Sequence, residues 1–146
     1  NSGFEMSAEN KYPLMETPEI MIMKKPDTEE NAVIFMWATN PLLTDALRVM
    51  EAWGFNYKTN IVWTKERHTA GFYVFGQHEL LLIGTKGSML PFGDKPTSIV
   101  IGANNIHSKK PECVYDIIEK MYPSQKYVEM FARNTHEGWT SWGNQI

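Results

Sequence analysis

Ala32-Val33-Ile34-Phe35-Met36-Trp37-Ala38-Thr39 runs eight residues without a charge. An unbroken apolar succession is what a strand covered on both faces requires, so the run reads as a strand central in its sheet. Asn40 can cap a helix and Pro41 fits its first position, while Leu43, Leu47, Met50 and Trp53 recur at helical spacing until Gly54 ends the pattern. Residues 57–64 are again strand-like. Strand, helix and strand predict a βαβ unit and the α/β class, with Trp37 and Trp53 in its core.

Upstream, residues 1–12 show no period and read as loop. Thr17 suits an N-cap, Pro18 the first helical position and Glu19 the positive end of the dipole, predicting a short helix to about Met23 that Pro26 and Asp27 end. Downstream, Lys65-Glu66-Arg67-His68 stands beside the glycine-bounded aromatic run Gly71-Phe72-Tyr73-Val74-Phe75-Gly76. Two readings stay open here: a nucleic-acid surface, where rings stack on bases and cations hold phosphates, or an edge hairpin with a charged tip. Residues 79–84 and 98–102 read as two further strands, with a turn at residues 91–94.

His107-Ser108-Lys109-Lys110-Pro111 precedes a helix whose stripe is Val114, Ile117, Ile118 and Met121, with Pro123 past its end. With Pro111 as first helical residue, Lys110 lies where free N–H groups and an ammonium together favour an anion such as a carboxylate or phosphate. Cys113 reads as a packing residue, since no base is arranged beside it. The chain closes on Tyr127-Val-Glu-Met-Phe-Ala-Arg133 and, past a polar loop, Trp139-Thr-Ser-Trp-Gly-Asn-Gln145. Glu129 and Arg133 bracket Phe131 at a strand end, which is where open α/β sheets bind small ligands. Gly143 frees the backbone, and the amides of Asn144 and Gln145 can meet hydroxyls and amines.

With 146 residues, 42% of them hydrophobic, the chain suits one domain spanning residues 1–146. A net charge of -3 excludes coating nucleic acid by bulk electrostatics, though not a local basic patch. A single cysteine excludes an internal disulfide, and no signal peptide or membrane-spanning run is evident. The expected location is the cytoplasm, or the nucleus in a eukaryote. There is no metal-ligand spacing, no glycine-rich phosphate loop and no serine nucleophile elbow.

Taken in order, Tyr12-Pro-Leu-Met, Phe35-Met-Trp-Ala-Thr-Asn40, Trp53-Gly-Phe, Trp63-Thr-Lys65, Glu79-Leu-Leu-Leu-Ile-Gly84, His107-Ser-Lys-Lys-Pro111, Glu129-Met-Phe-Ala-Arg133 and Trp139-Thr-Ser-Trp-Gly-Asn144 resemble the MT-A70 family of adenine methyltransferases. Gly-Gln-His-Glu before Leu-Leu-Leu is closest in wording to its bacterial and phage branch. The resemblance implies a Rossmann-like, permuted methyltransferase sheet and S-adenosylmethionine as methyl donor. It implies that Lys110 faces the cofactor's carboxylate and that Glu129, Arg133, Asn144 and Gln145 contact the cofactor. Tyr12 and the loop of His107, Ser108, Lys109 and Lys110 would flank the target adenine. The expected partner is nucleic acid, DNA ahead of RNA, with no membrane and with room for a homo- or heterodimer.

The family's Asp-Pro-Pro-Trp motif, expected shortly before Tyr12, does not occur in the sequence. In the family its acid and adjoining carbonyl orient the adenine amine. The expectation is therefore an N-terminally incomplete enzyme, inert as this fragment; the alternative is a catalytically silent subunit that offers residues 65–75 to nucleic acid. If Lys65 and Arg67 line a substrate groove, neutralising both should weaken nucleic-acid binding and leave cofactor affinity alone.

Overall fold

The computed structural model describes residues 17–102 and 110–142. In chain order its elements are α1 (Thr17–Ile22), β1 (Ala32–Ala38), a 3-10 turn (Asn40–Leu42), α2 (Leu43–Ala52), β2 (Asn56–Thr69), β3 (Gly76–Lys86), β4 (Ile99–Ile101), α3 (Cys113–Met121), β5 (Tyr127–Met130) and β6 (Trp139–Trp142). Four strands form a mixed sheet in the order β1-β3-β2-β4, and β5 pairs with β6 in a separate two-stranded sheet.

Alternation along the strands sends side chains to two cores. On one face Met36, Ala38, Leu80 and Leu82 meet Ile20 of α1 and Ala46, Val49 and Met50 of α2. On the other, Ile61, Trp63, Leu81, Ile83 and Val100 meet Val114, Ile118 and Met121 of α3. The helices thus cover opposite faces, which is why residues 32–38 and 80–83 could be apolar without a break. Trp53 is buried as expected, and its indole N–H donates to the Ile20 carbonyl at 3.1 Å, tying α1 to the end of α2.

The topology departs from the predicted βαβ unit. β1 and β2 are each antiparallel to β3, so they run in the same direction, but β3 lies between them. Among the described residues β1 has β3 as its only strand neighbour and is an edge strand rather than the central one. β3 takes the centre because the β2–β3 connection is short enough to form a hairpin, which places it beside β2 before any other strand can claim that edge.

Local details differ as well. Asn40 makes no capping hydrogen bond; α2 starts three residues later, after the turn, and the Asn40 amide nitrogen meets His78 Nε2 at 2.9 Å. The helix after Pro111 begins at Cys113 with Glu112 as its cap residue, so Pro111 lies outside it. Cys113 is exposed rather than packed, because it lies off the Val114, Ile118 and Met121 stripe. β6 follows β5 after an eight-residue loop and is parallel to it, with Tyr127 opposite Trp139. Among the described residues no helix is long and apolar enough to cross a membrane.

Candidate functional site

β1 and β2 run in the same direction, so their C-terminal ends lie on one edge of the sheet, the edge where α/β folds bind ligands. Trp37 is the penultimate residue of β1, and Trp63 and Lys65 lie well along β2. Glu79, on β3, is directly opposite Trp63 and only 7% exposed. It accepts a hydrogen bond from Lys110 Nζ at 2.7 Å on Oε1 and pairs through Oε2 with the Lys65 ammonium. Burial alone would push the Glu79 carboxyl up; the two ammoniums outweigh it and hold the group below the ordinary carboxylate range.

The two lysines also lie over indole rings, Lys65 over Trp63 at 5.1 Å and Lys110 over Trp37 at 5.4 Å. Trp37 and Trp63 meet edge to face at 5.8 Å. Two largely buried cations therefore share one carboxylate, so this trio by itself carries one positive charge. The indole N–H of Trp63 is buried and has no hydrogen-bond partner among the described residues. An anion beside Lys110 was expected from the sequence; the structure supplies one from the chain itself, Glu79. Lys65, read from the sequence as a phosphate contact, is also engaged by Glu79, because a cation two residues past Trp63 on the same strand face points at the acid opposite.

Next to this cluster an open cavity of about 650 Å³ runs between the edge of β1 and β5, and Lys110, Glu129 and Arg133 all line it. Tyr115 of α3 donates a 2.5 Å hydrogen bond to Glu129 Oε1. Burial pushes the Glu129 carboxyl up and Glu112 adds to that rise, while the Tyr115 hydrogen bond opposes it only in part. Burial and the Glu129 carboxylate together push the Tyr115 phenol up. The Tyr115 ring stacks on His136 at 3.8 Å, and Tyr127 stacks on Trp139 at 5.0 Å. Trp139 in turn donates to Glu119 Oε2 at 2.6 Å. α3 thus clamps both β5 and the loop that follows it.

Between Glu129 and Arg133 the backbone of Phe131 has φ of 58°, a left-handed conformation that a bulky residue seldom adopts. It is held there by its N–H, which donates to the Trp142 carbonyl at 2.5 Å, and by its ring against Trp142. This bend ends β5 and turns the chain along the cavity wall. Strain of this kind concentrates at ligand sites.

The structure therefore brings Lys110, Glu129 and Arg133 together on one cavity, and places Lys65 beside Lys110. Arg67 lies further along β2, toward the hairpin tip, and is exposed. Tyr12, His107, Ser108, Lys109, Asn144 and Gln145 lie outside the described residues. At the tip, Phe72, Tyr73, Val74 and Phe75 are all exposed, and His68 packs on the Phe75 ring at 4.9 Å. Sequence reasoning missed Glu79, Tyr115 and His136. The available signal was an acid opening the apolar run of residues 79–84, since a charge entering a buried strand needs a partner. No cluster of His, Cys, Asp and Glu suited to a metal ion occurs among the described residues.

The family model described as MT-A70 matches residues 4–145. A type II methyltransferase of a Mycoplasma species, M.MunI, is 36% identical over 155 residues, covering 100% of this chain and 66% of the relative. An MT-A70-like N(6)-adenosine-methyltransferase of Arabidopsis thaliana is 26% identical over 98% of the chain and 22% of its own length. The human N(6)-adenosine-methyltransferase catalytic subunit METTL3 is 22% identical over 98% of the chain and 27% of its own length. The chain thus spans just under two thirds of the Mycoplasma enzyme and about a quarter of the eukaryotic ones.

Proposed function

The chain belongs to the MT-A70 family, and from that premise we propose that it transfers the methyl group of S-adenosylmethionine to the exocyclic amine of adenine in nucleic acid, DNA ahead of RNA. The observation that carries this reading is the cavity between β1 and β5, which Lys110, Glu129 and Arg133 all line.

The side chains present fit such a donor. Its amino-acid tail needs a cation for the carboxylate, and an ammonium has three donors, of which Glu79 takes one from Lys110. Its ribose needs an acceptor for hydroxyls. Glu129 has a second oxygen besides the one bonded to Tyr115. Its base needs apolar walls, which Tyr127 and Phe131 line. Asn144 and Gln145 are proposed as further polar contacts, and Tyr12 with His107, Ser108 and Lys109 as the frame of the target base.

S-adenosylmethionine, when bound, supplies an electrophilic methyl on a sulfonium. The chain's contribution is to orient and to exclude water: Lys110 fixes the tail, Glu129 the sugar, and the Phe131 bend closes the wall, so that amine and methyl meet in line without a covalent enzyme intermediate. In a duplex the adenine must leave the stack first. The likeness in wording to bacterial and phage members at residues 76–82 supports DNA over RNA.

One observation favours a second reading. The exposed run Phe72 to Phe75 suits a catalytically silent subunit that presents an aromatic platform to nucleic acid. Methylation of matched DNA and RNA oligonucleotides by the full-length protein with labelled donor decides among these. Transfer to RNA alone overturns the DNA assignment, and retained oligonucleotide binding without transfer favours the silent subunit.

A further inference from the structure

We infer that Glu79 is a shared counter-ion through which Lys65 sets how strongly Lys110 holds a carboxylate in the cavity, although Lys65 itself lines no part of that cavity. This rests on the reading of Lys110 as the partner of the cofactor's carboxylate.

Glu79 offers two oxygens, one to each lysine, and all three side chains are largely buried, with 10% of the Glu79 side chain, 15% of Lys65 and 17% of Lys110 exposed. Water screens such a cluster poorly, so its members act as a unit rather than as independent pairs. As it stands, the unit carries one positive charge more than it can neutralise internally. The indole rings soften that surplus without cancelling it, because a ring face is a weak partner for a cation compared with a carboxylate. An anion at Lys110 completes the neutralisation, and part of its binding free energy comes from the surplus that Lys65 creates.

The consequences of two substitutions differ in sign. With Lys65→Met, Glu79 is left undivided on Lys110, the cluster is already neutral, and an incoming carboxylate gains less. With Glu79→Gln, both ammoniums lose their counter-ion and the same carboxylate gains more. The coupling is reciprocal: a phosphate that engages Lys65 weakens the hold of Lys110 on a carboxylate by the same factor. On this inference neutralising Lys65 also weakens the cofactor, contrary to the expectation from the sequence, because both lysines pair with one acid.

Calorimetry on the full-length protein tests this with two probes, S-adenosylmethionine and methylthioadenosine, which shares the nucleoside but lacks the amino-acid carboxylate. Lys65→Met is expected to weaken S-adenosylmethionine about fivefold, the usual size of a coupling between neighbouring sites, and to leave methylthioadenosine unchanged. Glu79→Gln is expected to tighten S-adenosylmethionine and again to leave methylthioadenosine unchanged. Parallel weakening of both probes shows a merely structural role and overturns the inference, as does an unchanged S-adenosylmethionine affinity in Lys65→Met. Should Glu79→Gln fail to fold, the Lys65→Met pair of measurements decides alone. Lys110→Ala separates the two levels: if it leaves S-adenosylmethionine affinity intact, the reading of Lys110 as carboxylate partner fails; if it weakens that affinity while Lys65→Met does not, only the shared counter-ion fails.

Discussion

Tyr115 donates its phenolic proton to Glu129 across 2.5 Å, joining helix α3 to the strand that borders the cavity. Even so the Glu129 carboxyl lies above its ordinary range, so the folded protein holds a proton there more tightly than the unfolded chain does. Where the folded state binds more protons, stability falls as pH rises. Glu129 therefore opposes folding at neutral pH, beginning near the ordinary value of 4.5 and growing until the folded-state carboxyl is ionised.

Glu129→Gln keeps an acceptor for Tyr115 and removes the buried charge. The variant is expected to be more stable at pH 7 by about 0.5 kcal/mol or more, seen as a higher urea midpoint, and to bind S-adenosylmethionine more weakly. A lower midpoint counts against a charge penalty at this position. Gain of stability with loss of ligand is the trade expected of a residue held for binding.

Glu79 behaves in the opposite sense. Its carboxyl is held low in the fold, so between the folded value and the ordinary 4.5 the unfolded chain binds more protons, and stability rises with pH. The contribution is complete above about pH 4.5 and is lost as pH falls through the folded value. Acid titration of stability should show a loss below pH 4.5 that Glu79→Gln abolishes, while that variant is less stable at pH 7 by roughly 3 kcal/mol because two buried cations lose their partner.

The hairpin tip offers a separation of stability from binding. Phe72 and Tyr73 are fully exposed, so replacing both by Ser is expected to change stability by less than about 0.5 kcal/mol. If bases stack there, fluorescence anisotropy should show single-stranded oligonucleotide binding weakened by roughly 1 to 3 kcal/mol per stacked base lost. Unchanged affinity removes the tip from the nucleic-acid surface. Arg67→Ala should lower the salt dependence of the same binding without touching Glu79.

Gly87, at the end of β3, has φ of 69°, and a Cβ there would lie 2.2 Å from Asn31 Oδ1 and 2.8 Å from the Glu30 carbonyl. Asn31 Oδ1 also accepts from the Ser88 N–H at 2.8 Å, so the loop before β1 is pinned to this turn. Gly87→Ala is expected to destabilise by about 1 to 3 kcal/mol, since it combines a strained conformation with a clash against backbone. Thermal denaturation measures it, and a change below 0.5 kcal/mol would show that the loop yields freely.

Much of this architecture could be read from residue order. The run of residues 32–38 announced a strand covered on both faces, and Leu43, Leu47, Met50 and Trp53 announced the helix, because burial and helical period are local signals. Lys110, Glu129 and Arg133 were legible as candidates from the residues around them, and the structure places all three on one cavity. Strand order was not legible: which edge β3 occupies depends on pairing across dozens of residues. Glu79 escaped for a related reason, since its two lysines come from 14 residues before it and 31 after it in the chain. Asn40 misled because an amide that can cap a helix can equally bond the ring of His78, and tertiary approach decided between them.

The insertion of β3 between β1 and β2 also dictates an order of assembly. β2 and β3 pair across a connection of six residues, residues 70–75, whereas β1 reaches its place only by closing a loop through α2 and the whole hairpin, with Ala32 meeting Lys86. Local pairing forms quickly and long loops close late, so the hairpin makes the natural nucleus and β1 the last strand to arrive. Substitutions such as Leu81→Ala should then slow folding, and Ile34→Val should chiefly speed unfolding, a contrast that the two limbs of a denaturant chevron would separate. Trp37 arrives with β1, and the cavity wall with it, so the cavity is complete only once β1 has docked.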